Sequence, residues 1–495
     1  MVPHPAVDAP GTAPPAPVRE VEVEAEPGRE GTPLSTVLGA LAGLWGLMIG
    51  LGRLGDNSFL THLATGRLIL ADGRIPTTDP YSFTAHGDPW VVQSWLASVV
   101  FAGLDDLGDF VAIRLVIGLT TGALALLVWR LCRPAESVIG RVAIVAVALA
   151  VGTDLWVERP LIFGLLFLGV VLLAAEDVVD PRWLVPVMWV WVNMHGSFPL
   201  AGILLILLAL GRRLDGGRPA VELRALTWCC VGIALAAVNP LGPRLVAFPL
   251  QLVTRTAAFE SIVEWQPPNF DTVGQKAFLV QLFVAVVLLV RRPSYRAALP
   301  LAGFGLMALL SARNVVPASL ILLPGMAVAI GRAGSLDARA RSGLFRVATV
   351  VIVAIAVPLS ALGLSGESAD VKGYPVDALE WLDARGRIDP DVRLLTQDFV
   401  GNFLEARYGP DRVRVFTDDR VDMYPLQVTR DYSALLAGKP GWSRILDRYG
   451  AEIVLWAADR PLAELMVASS AWRLVYRDDD WIIAVPQDSP IRADR

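Results

Sequence analysis

The chain has 495 residues, of which 54% are hydrophobic and 18% are charged. Ordinary globular proteins contain fewer apolar residues, so the excess predicts helices embedded in lipid. The net charge of -5 gives no reason to expect nucleic-acid binding, which needs Lys and Arg clustered on one face. The three cysteines, Cys132, Cys229 and Cys230, lie in or beside apolar segments, which argues against a disulfide framework or a paired-cysteine metal site.

Apolar segments follow one another from residue 36 to residue 364, after a tail at 1–33 that is rich in Pro, Ala and Glu and is predicted to be disordered. About eleven segments are long and apolar enough for membrane helices. The two short segments that flank His195 form either one long helix or a broken one, and the parity of the spans depends on this choice. The predicted spans are 36–53, 110–131, 138–154, 160–175, 183–195, 198–211, 225–239, 276–290, 298–312, 315–331 and 345–364.

Arginine is concentrated in the loops on one side of these spans, which predicts that those loops are cytoplasmic. An odd number of spans then places the N-terminus in the cytoplasm and residues 365–495 outside it. The opposite loops, including 55–109 and 240–275, are poorer in basic residues. The arginines that define the cytoplasmic side are Arg130, Arg133, Arg141, Arg212, Arg213, Arg218, Arg224, Arg291, Arg292, Arg296, Arg332, Arg339, Arg341 and Arg346.

The region 365–495 has shorter apolar runs and more Asp, Arg and Gly, which predicts a small extracytoplasmic α/β domain. Helices are expected at 375–386 and 399–408, and extended segments at 392–396, 413–417 and 453–456. The runs 472–476 and 481–485 flank three aspartates and predict a hairpin. This region contains no phosphate-loop, dinucleotide or zinc-protease motif, so binding or support is its expected role.

Polar and ionisable residues recur at the ends of the apolar segments on the non-cytoplasmic side. Such groups are costly near lipid and usually line a cavity, so their convergence predicts one site. They are Asp56, His62, Asp79, Glu158, Arg159, Asn193, His195, Asn239, Glu264, Arg313 and Asn314.

Each of these residues also has a structural explanation. Asp56 could be a helix-terminal carboxylate, and Asp79 in Thr-Asp-Pro could start a turn. His62 and His195 are more often packing groups than ligands, and the spacing of the histidines does not indicate a zinc site. Arginines beside a span can also extend to the membrane surface.

Several motifs give the chain a family resemblance after residue 36. DNSFLTHLATGRLIL, GRIPTTDPYSF, QSWLA, ERPLIFGLLF, WVNMHGSF, NPLG, VEWQPP and ARN follow in order, and RVFTDDRVDMYP and a helix at 442–449 occur in the tail. The sequence resembles bacterial membrane proteins related to the C superfamily of glycosyltransferases (GT-C), which use lipid-linked sugars. The resemblance implies a GT-C-like membrane domain and, in the bacterial cytoplasmic membrane, a polyprenyl-phosphate sugar donor.

By this resemblance Asp56 matches the catalytic acid of the first external loop, and Asp79 matches a second loop acid. Asp56 would be the general base that takes the proton of an acceptor hydroxyl. His62 and His195 would orient donor or acceptor, while Arg159 and Arg313 would bind the departing phosphate. The remaining substrate-binding candidates are Arg67, Asn193, Glu264 and Asn314.

The sequence differs from the family pattern at Gly55-Asp56-Asn57, where one acid stands in place of a pair. A lone carboxylate beside an amide binds a divalent cation poorly, so a divalent cation stays an alternative with weak support and no metal ligand is assigned. The acceptor would be an envelope glycan, lipid or protein. Two other classes remain open: a transporter of lipid-linked substrate, and a non-catalytic envelope assembly protein of the same fold.

Overall fold

A computed structural model describes residues 33–253, 262–331 and 342–492. The predicted disordered tail at 1–33 therefore lies almost entirely outside the described residues. Thirteen helices precede the C-terminal region within these ranges. They are α1 (Pro33–Gly50), α2 (Asn57–Asp72), α3 (Trp95–Leu131), α4 (Val138–Gly152), α5 (Leu161–Ala175), α6 (Leu184–Met194), α7 (Pro199–Leu214), α8 (Ala220–Leu235), α9 (Pro243–Val253), α10 (Val273–Arg291), α11 (Tyr295–Leu310), α12 (Val315–Ile330) and α13 (Ser342–Leu364).

The apolar helices identify a multi-pass membrane protein. Among the described residues, four segments are long and apolar enough to cross a membrane: Trp95–Leu131, Val273–Arg291, Ala312–Ile330 and Arg346–Leu364. Four shorter apolar helices accompany them at Leu34–Gly50, Val138–Gly152, Leu161–Ala175 and Tyr295–Leu310. The predicted number of eleven spans is not confirmed, because several of the helices fall short of the length that spans a bilayer alone.

The helix is interrupted at His195, so the segments on either side of this residue form two helices rather than one. His195 has an extended backbone, with φ -160° and ψ 138°, and it ends α6. A proline at the first position of α7 then starts the next helix. This break brings the histidine to the end of the bundle that also carries the loop between α1 and α3. We call this the site end and the opposite, arginine-rich end the basic end.

A four-stranded sheet forms the core of the C-terminal region. Its order is β1-β2-β4-β3, with β1 parallel to β2 and the other pairs antiparallel. The predicted hairpin at 472–485 is confirmed as β3 paired with β4. In chain order the elements are α14 (Val376–Asp383), β1 (Leu394–Leu395), α15 (Asp398–Tyr408), α16 (Leu426–Leu436), α17 (Trp442–Tyr449), β2 (Ile453–Ala457), α18 (Pro461–Val467), β3 (Trp472–Arg477) and β4 (Trp481–Pro486).

The extended segment predicted at 413–417 does not become a strand of this sheet. Val415 instead forms isolated bridges to Ser82 in the first loop and to Leu394. The segment is apolar because it is buried between the loop and the sheet. Its hydrogen bonds therefore join the two parts of the chain rather than extend the sheet.

The buried Arg114 ties together the first span, α3 and the last span. Its side chain is 1% exposed and donates to the backbone oxygens of Leu51, Gly52 and Gly363. These carbonyls follow α1 or lie in the last turn of α13, where helical partners are missing. Nearby, Leu54 forms a short parallel bridge with Ala369. The start of the external loop and the start of the C-terminal region are thus held side by side.

The backbone of the loop helix α2 packs directly against the backbone of α3, and Gly66 makes this close approach possible. A Cβ at Gly66 would lie 1.9 Å from the backbone oxygen of Ser98. We expect Gly66→Ala to force the helices apart and to destabilise the protein by about 1–3 kcal/mol, measured by thermal unfolding in detergent.

Gly103 in α3 is a matched control, because a Cβ there would meet nothing within 4 Å. Gly103→Ala is expected to be neutral or stabilising by about 0.4–1 kcal/mol. Equal effects of the two substitutions would contradict the close approach.

Candidate active site

Asp56 lies immediately before α2, where its side chain is held from both sides. One carboxylate oxygen accepts from the Ser58 amide at 3.0 Å, which caps the helix. The other oxygen accepts from Nε of Arg159 at 2.5 Å. The Glu158 carboxylate accepts from the Gly55 and Asp56 amides at 2.5 and 2.7 Å. Asp56 is therefore fixed in one orientation, and burial raises its pKa although Arg159 partly offsets this effect.

Arg159 connects the first loop to a distant segment of the chain. Besides Asp56, its guanidinium group binds Glu264 in the short 3-10 turn at Val263–Trp265. Burial disfavours its charge, but the two carboxylates more than offset burial and raise the pKa of Arg159. Arg159 is therefore a permanent cation between two acids, bound to Asp56 through Nε and to Glu264 through Nη1.

Both predicted histidines belong to the same site. His62 contacts the hydroxyl of Ser98 through Nδ1 at 3.1 Å. Burial, with a contribution from Arg159, lowers the pKa of His62 to about 4, so its ring is neutral at pH 7. His195 contacts the Ser197 hydroxyl at 2.8 Å and accepts from the Ser197 amide through Nδ1. This contact leaves Nε2 of His195 as the donor of the neutral ring.

Arg313 completes this arrangement from the turn between α11 and α12. Its guanidinium group lies over the Trp265 ring, 4.4 Å from the ring centroid. Arg313, His62 and Arg159 are all close enough to act electrostatically on His195. The structure therefore brings together six of the predicted site residues, which we call the acid–arginine cluster: Asp56, His62, Arg159, His195, Glu264 and Arg313.

Three predicted substrate-binding residues have structural partners instead. Asn193 accepts from the Trp95 indole at 2.9 Å and donates to the backbone of Trp189. Asn314 donates to the Met307 carbonyl at the end of α11. Arg67 pairs with Asp105 at 2.6 Å and donates to the Ala406 carbonyl. These contacts hold helices together, and the partly exposed Arg67 keeps a place on the wall of a pocket beside Asp56.

Asp79 lies apart from Asp56, in a buried network between the first loop and the C-terminal region. It accepts from the amides of Tyr81 and Ser82, which forms a turn after Asp79. It also pairs with Arg420 at 2.8 Å. Arg420 binds Asp418 through two nitrogens and approaches Glu405 at 3.7 Å. We call this set the docking network: Asp79, Glu405, Asp418, Arg420 and Tyr424.

The C-terminal region contributes residues beside Asp56 that the sequence did not predict. The Asp419 carboxylate accepts from the Ser58 side chain, and burial, with nearby Asp418, Asp398 and Asp56, raises its pKa to about 7. A cavity of about 170 Å³ lies next to Asp56 and includes Tyr374, Phe403 and Phe110 in its wall. The only signal in the sequence was the segment RVFTDDRVDMYP, which carries Asp419 but does not reveal its neighbours.

The carboxylates at the start of α2 are bound to other protein groups. No group of three or more His, Cys, Asp or Glu residues there could hold a metal ion. Asp56 is occupied by Arg159, and Glu158 is occupied by two backbone amides. Oxygen ligands for a divalent cation would have to be released from these partners first.

The raised pKa of Asp419 predicts how stability depends on pH. Its folded-state pKa is about 7 against an ordinary 3.8, so the folded protein holds this proton more tightly than the unfolded chain. Stability due to this group is then lost as pH rises from about 4 to about 7. We expect the melting temperature of the wild type to fall across this window relative to that of Asp419→Asn.

Thermal unfolding at several pH values would measure this difference, with Asp479→Asn in the exposed turn between β3 and β4 as the control. If the melting temperatures of the wild type and Asp419→Asn changed with pH by the same amount between about pH 4 and pH 7, the raised pKa of Asp419 would be contradicted.

The comparisons support this architecture through structure rather than sequence. No protein-family model matches the chain, and no curated protein shows significant similarity to it. Among solved structures, it is similar to the archaeal oligosaccharyltransferase AglB from Archaeoglobus fulgidus, solved with an inhibitory peptide and a dolichol-phosphate. The match has a TM-score of 0.52 at 12% identity and covers 93% of this chain and 75% of AglB. The predicted GT-C-like fold is therefore confirmed.

Proposed function

We propose that this protein is a membrane glycosyltransferase that moves a sugar from a polyprenyl-phosphate donor to a cell-envelope glycan, lipid or protein. The observation that carries the proposal is the placement of Asp56 against Arg159, with Arg313 and two neutral histidines beside them. An acid and two cations in one buried site match the needs of this transfer. The similar archaeal enzyme, solved with a dolichol-phosphate, supports a lipid-linked donor.

Asp56 is the general base in this proposal. The acceptor hydroxyl oxygen attacks the anomeric carbon of the donor, and its proton passes to the Asp56 carboxylate. Burial raises the pKa of Asp56, which makes the carboxylate a stronger base than a solvated aspartate. The helix cap at Ser58 keeps one oxygen in place. The second oxygen binds Nε of Arg159, and it receives the proton once Arg159 turns this nitrogen to the phosphate.

The two arginines stabilise the leaving group. The bond between the anomeric carbon and the phosphate oxygen breaks, and polyprenyl phosphate departs with both electrons. Arg159 is shared between Asp56 and Glu264, so it can transfer one nitrogen to the phosphate while Glu264 holds the other. Arg313, stacked on Trp265, supplies the second cation. Both act where negative charge develops in the transition state.

The remaining candidates have supporting roles. His62 and His195 are hydrogen-bonding groups that orient the sugar hydroxyls. Asp79 is a positioning residue rather than an alternative base, because it lies in the docking network, apart from the acid–arginine cluster, and binds Ser82 and Arg420 there. Arg67, on the wall of the cavity beside Asp56, is assigned to the acceptor. We assign the site end to the outer face of a bacterial cytoplasmic membrane, with the N-terminus in the cytoplasm and residues 365–495 outside.

A discharge assay tests this function. The purified protein in nanodiscs is incubated with radiolabelled polyprenyl-phosphate sugars and envelope fractions, and products are analysed by mass spectrometry. We expect loss of the lipid-linked donor together with a new glycosidic bond in one fraction. Movement of an unchanged donor across proteoliposomes would favour a transporter instead. Co-purification of envelope proteins with this protein, with every donor left intact, would favour the non-catalytic assembly protein.

A further inference from the structure

The basic end of the bundle contains a second, larger cavity far from the acid–arginine cluster. Its volume is about 560 Å³, and its walls come from α5, α7, α10, α11 and α12. The residues that matter here are Leu172, Leu208, Leu288, Ile321, Met326 and Ala329. These side chains form the apolar part of the wall, which is suited to hydrocarbon chains, whereas Glu176, Arg212, Asp215, Arg292, Ser294 and Arg296 form a polar part.

Prolines explain why the helices leave this space. Pro300 lies inside α11 and Pro324 inside α12, and both line the cavity. A proline within a helix removes a backbone donor and prevents regular packing of the turn before it. Gly325 follows Pro324 and also lines the cavity, and a Cβ there would lie 3.1 Å from the Cβ of Ala297 in α11. The cavity is therefore a product of the helix sequences.

Acidic side chains at the rim are already committed to partners. Glu222 is fully buried and accepts from Arg212 at 3.1 Å and from Arg296 at 2.9 Å. Glu176 lies 2.9 Å from Arg296. Asp215 accepts from the Ser294 hydroxyl and from the first amides of α11. These carboxylates hold helix ends together and do not neutralise the outer rim.

The outer rim keeps a surplus of arginine. Arg292 lines the cavity and is exposed, its guanidinium group lies against Gly331, and its one printed hydrogen bond to a described residue is with the Val328 carbonyl at 3.5 Å. Arg213 and Arg291 are exposed beside it, and neither forms an ion pair with any residue that the structure describes. Basic pockets between membrane helices bind the headgroups of anionic lipids. We propose that this cavity binds one anionic phospholipid, with its chains between the helices and its phosphate on Arg292.

The test is lipid binding by native mass spectrometry, with phosphatidylglycerol and phosphatidylcholine of identical chains as probes. It uses the full-length protein and needs no sugar donor, so it is independent of the proposed function. We expect the wild type to prefer phosphatidylglycerol. Arg292→Ala is expected to reduce that preference about fivefold. Arg130→Ala, an exposed arginine at the same end that does not line the cavity, should leave the preference unchanged.

A second variant tests the apolar part of the site. Ala329→Trp fills the cavity and should weaken binding of both phospholipids, without removing any charge. Equal binding of the two lipids by the wild type would overturn the proposal, as would equal effects of Arg292→Ala and Arg130→Ala. Displacement of phosphatidylglycerol by sub-stoichiometric polyprenyl phosphate would also overturn it, because the occupant would then be that lipid.

Discussion

Asp56→Asn is expected to lower sugar transfer by about 10²–10⁴-fold, the range that a positioned general base contributes. Asparagine has nearly the same shape, and its side-chain oxygen can still accept from the Ser58 amide that caps α2. The variant should therefore fold normally and still bind the lipid-linked donor. The loss should appear in kcat, because the missing group acts on a proton that moves only in the transition state.

The matched control for this prediction is Asp72→Asn at the end of the same helix. Asp72 is exposed, and its only ion pair is a 3.8 Å contact with Arg74 among the residues described. The control should keep wild-type turnover. Undiminished turnover by Asp56→Asn in the same membranes would remove Asp56 as the base, whereas a loss of donor binding would indicate a structural role.

Arg420→Met should have the largest effect on stability, with a loss of about 3–5 kcal/mol. Arg420 is 7% exposed and pairs with Asp79 and Asp418 while Glu405 lies 3.7 Å away. Methionine fills similar space but leaves these buried carboxylates without their cation. Burial and Asp418 already raise the pKa of Glu405, so its proton would be held still more tightly in the variant.

Thermal unfolding of the whole protein would measure this loss of stability, and limited proteolysis would show whether the region 365–492 is cut more readily. Arg444→Met on the exposed face of α17 is the control and should change stability by less than about 0.5 kcal/mol. A small effect of Arg420→Met would mean that the carboxylates share protons or reach solvent. Rescue by Arg420→Lys should be incomplete, since an ammonium group cannot form the two-nitrogen contact with Asp418.

The sequence predicted the residues of the acid–arginine cluster because charge near lipid is rare and costly. Asp56, His195 and Arg313 could be grouped because each lies at the predicted non-cytoplasmic end of an apolar segment. The break at His195 was one of two alternatives and depended on a backbone conformation that hydropathy does not encode. The hairpin at 472–486 was predictable from its local pattern and its turn residues.

The docking network and Asp419 could not be predicted in the same way. Arg420 lies 341 residues after Asp79 in the sequence, and nothing local marks one as the partner of the other. Asp79 has the same Thr-Asp-Pro context whether it catalyses or only forms a turn. Only the three-dimensional contacts distinguish these uses. They place Asp79 in the docking network, where its carboxylate oxygens bind Ser82 and Arg420.

The joint between Leu54 and Ala369 limits how the C-terminal region can move. Arg114 fixes the chain on both sides of this joint through Leu51 and Gly363, and Asp56 is only two residues away. The first external loop and the C-terminal region therefore share one attachment to the membrane helices, and this attachment lies beside the proposed base.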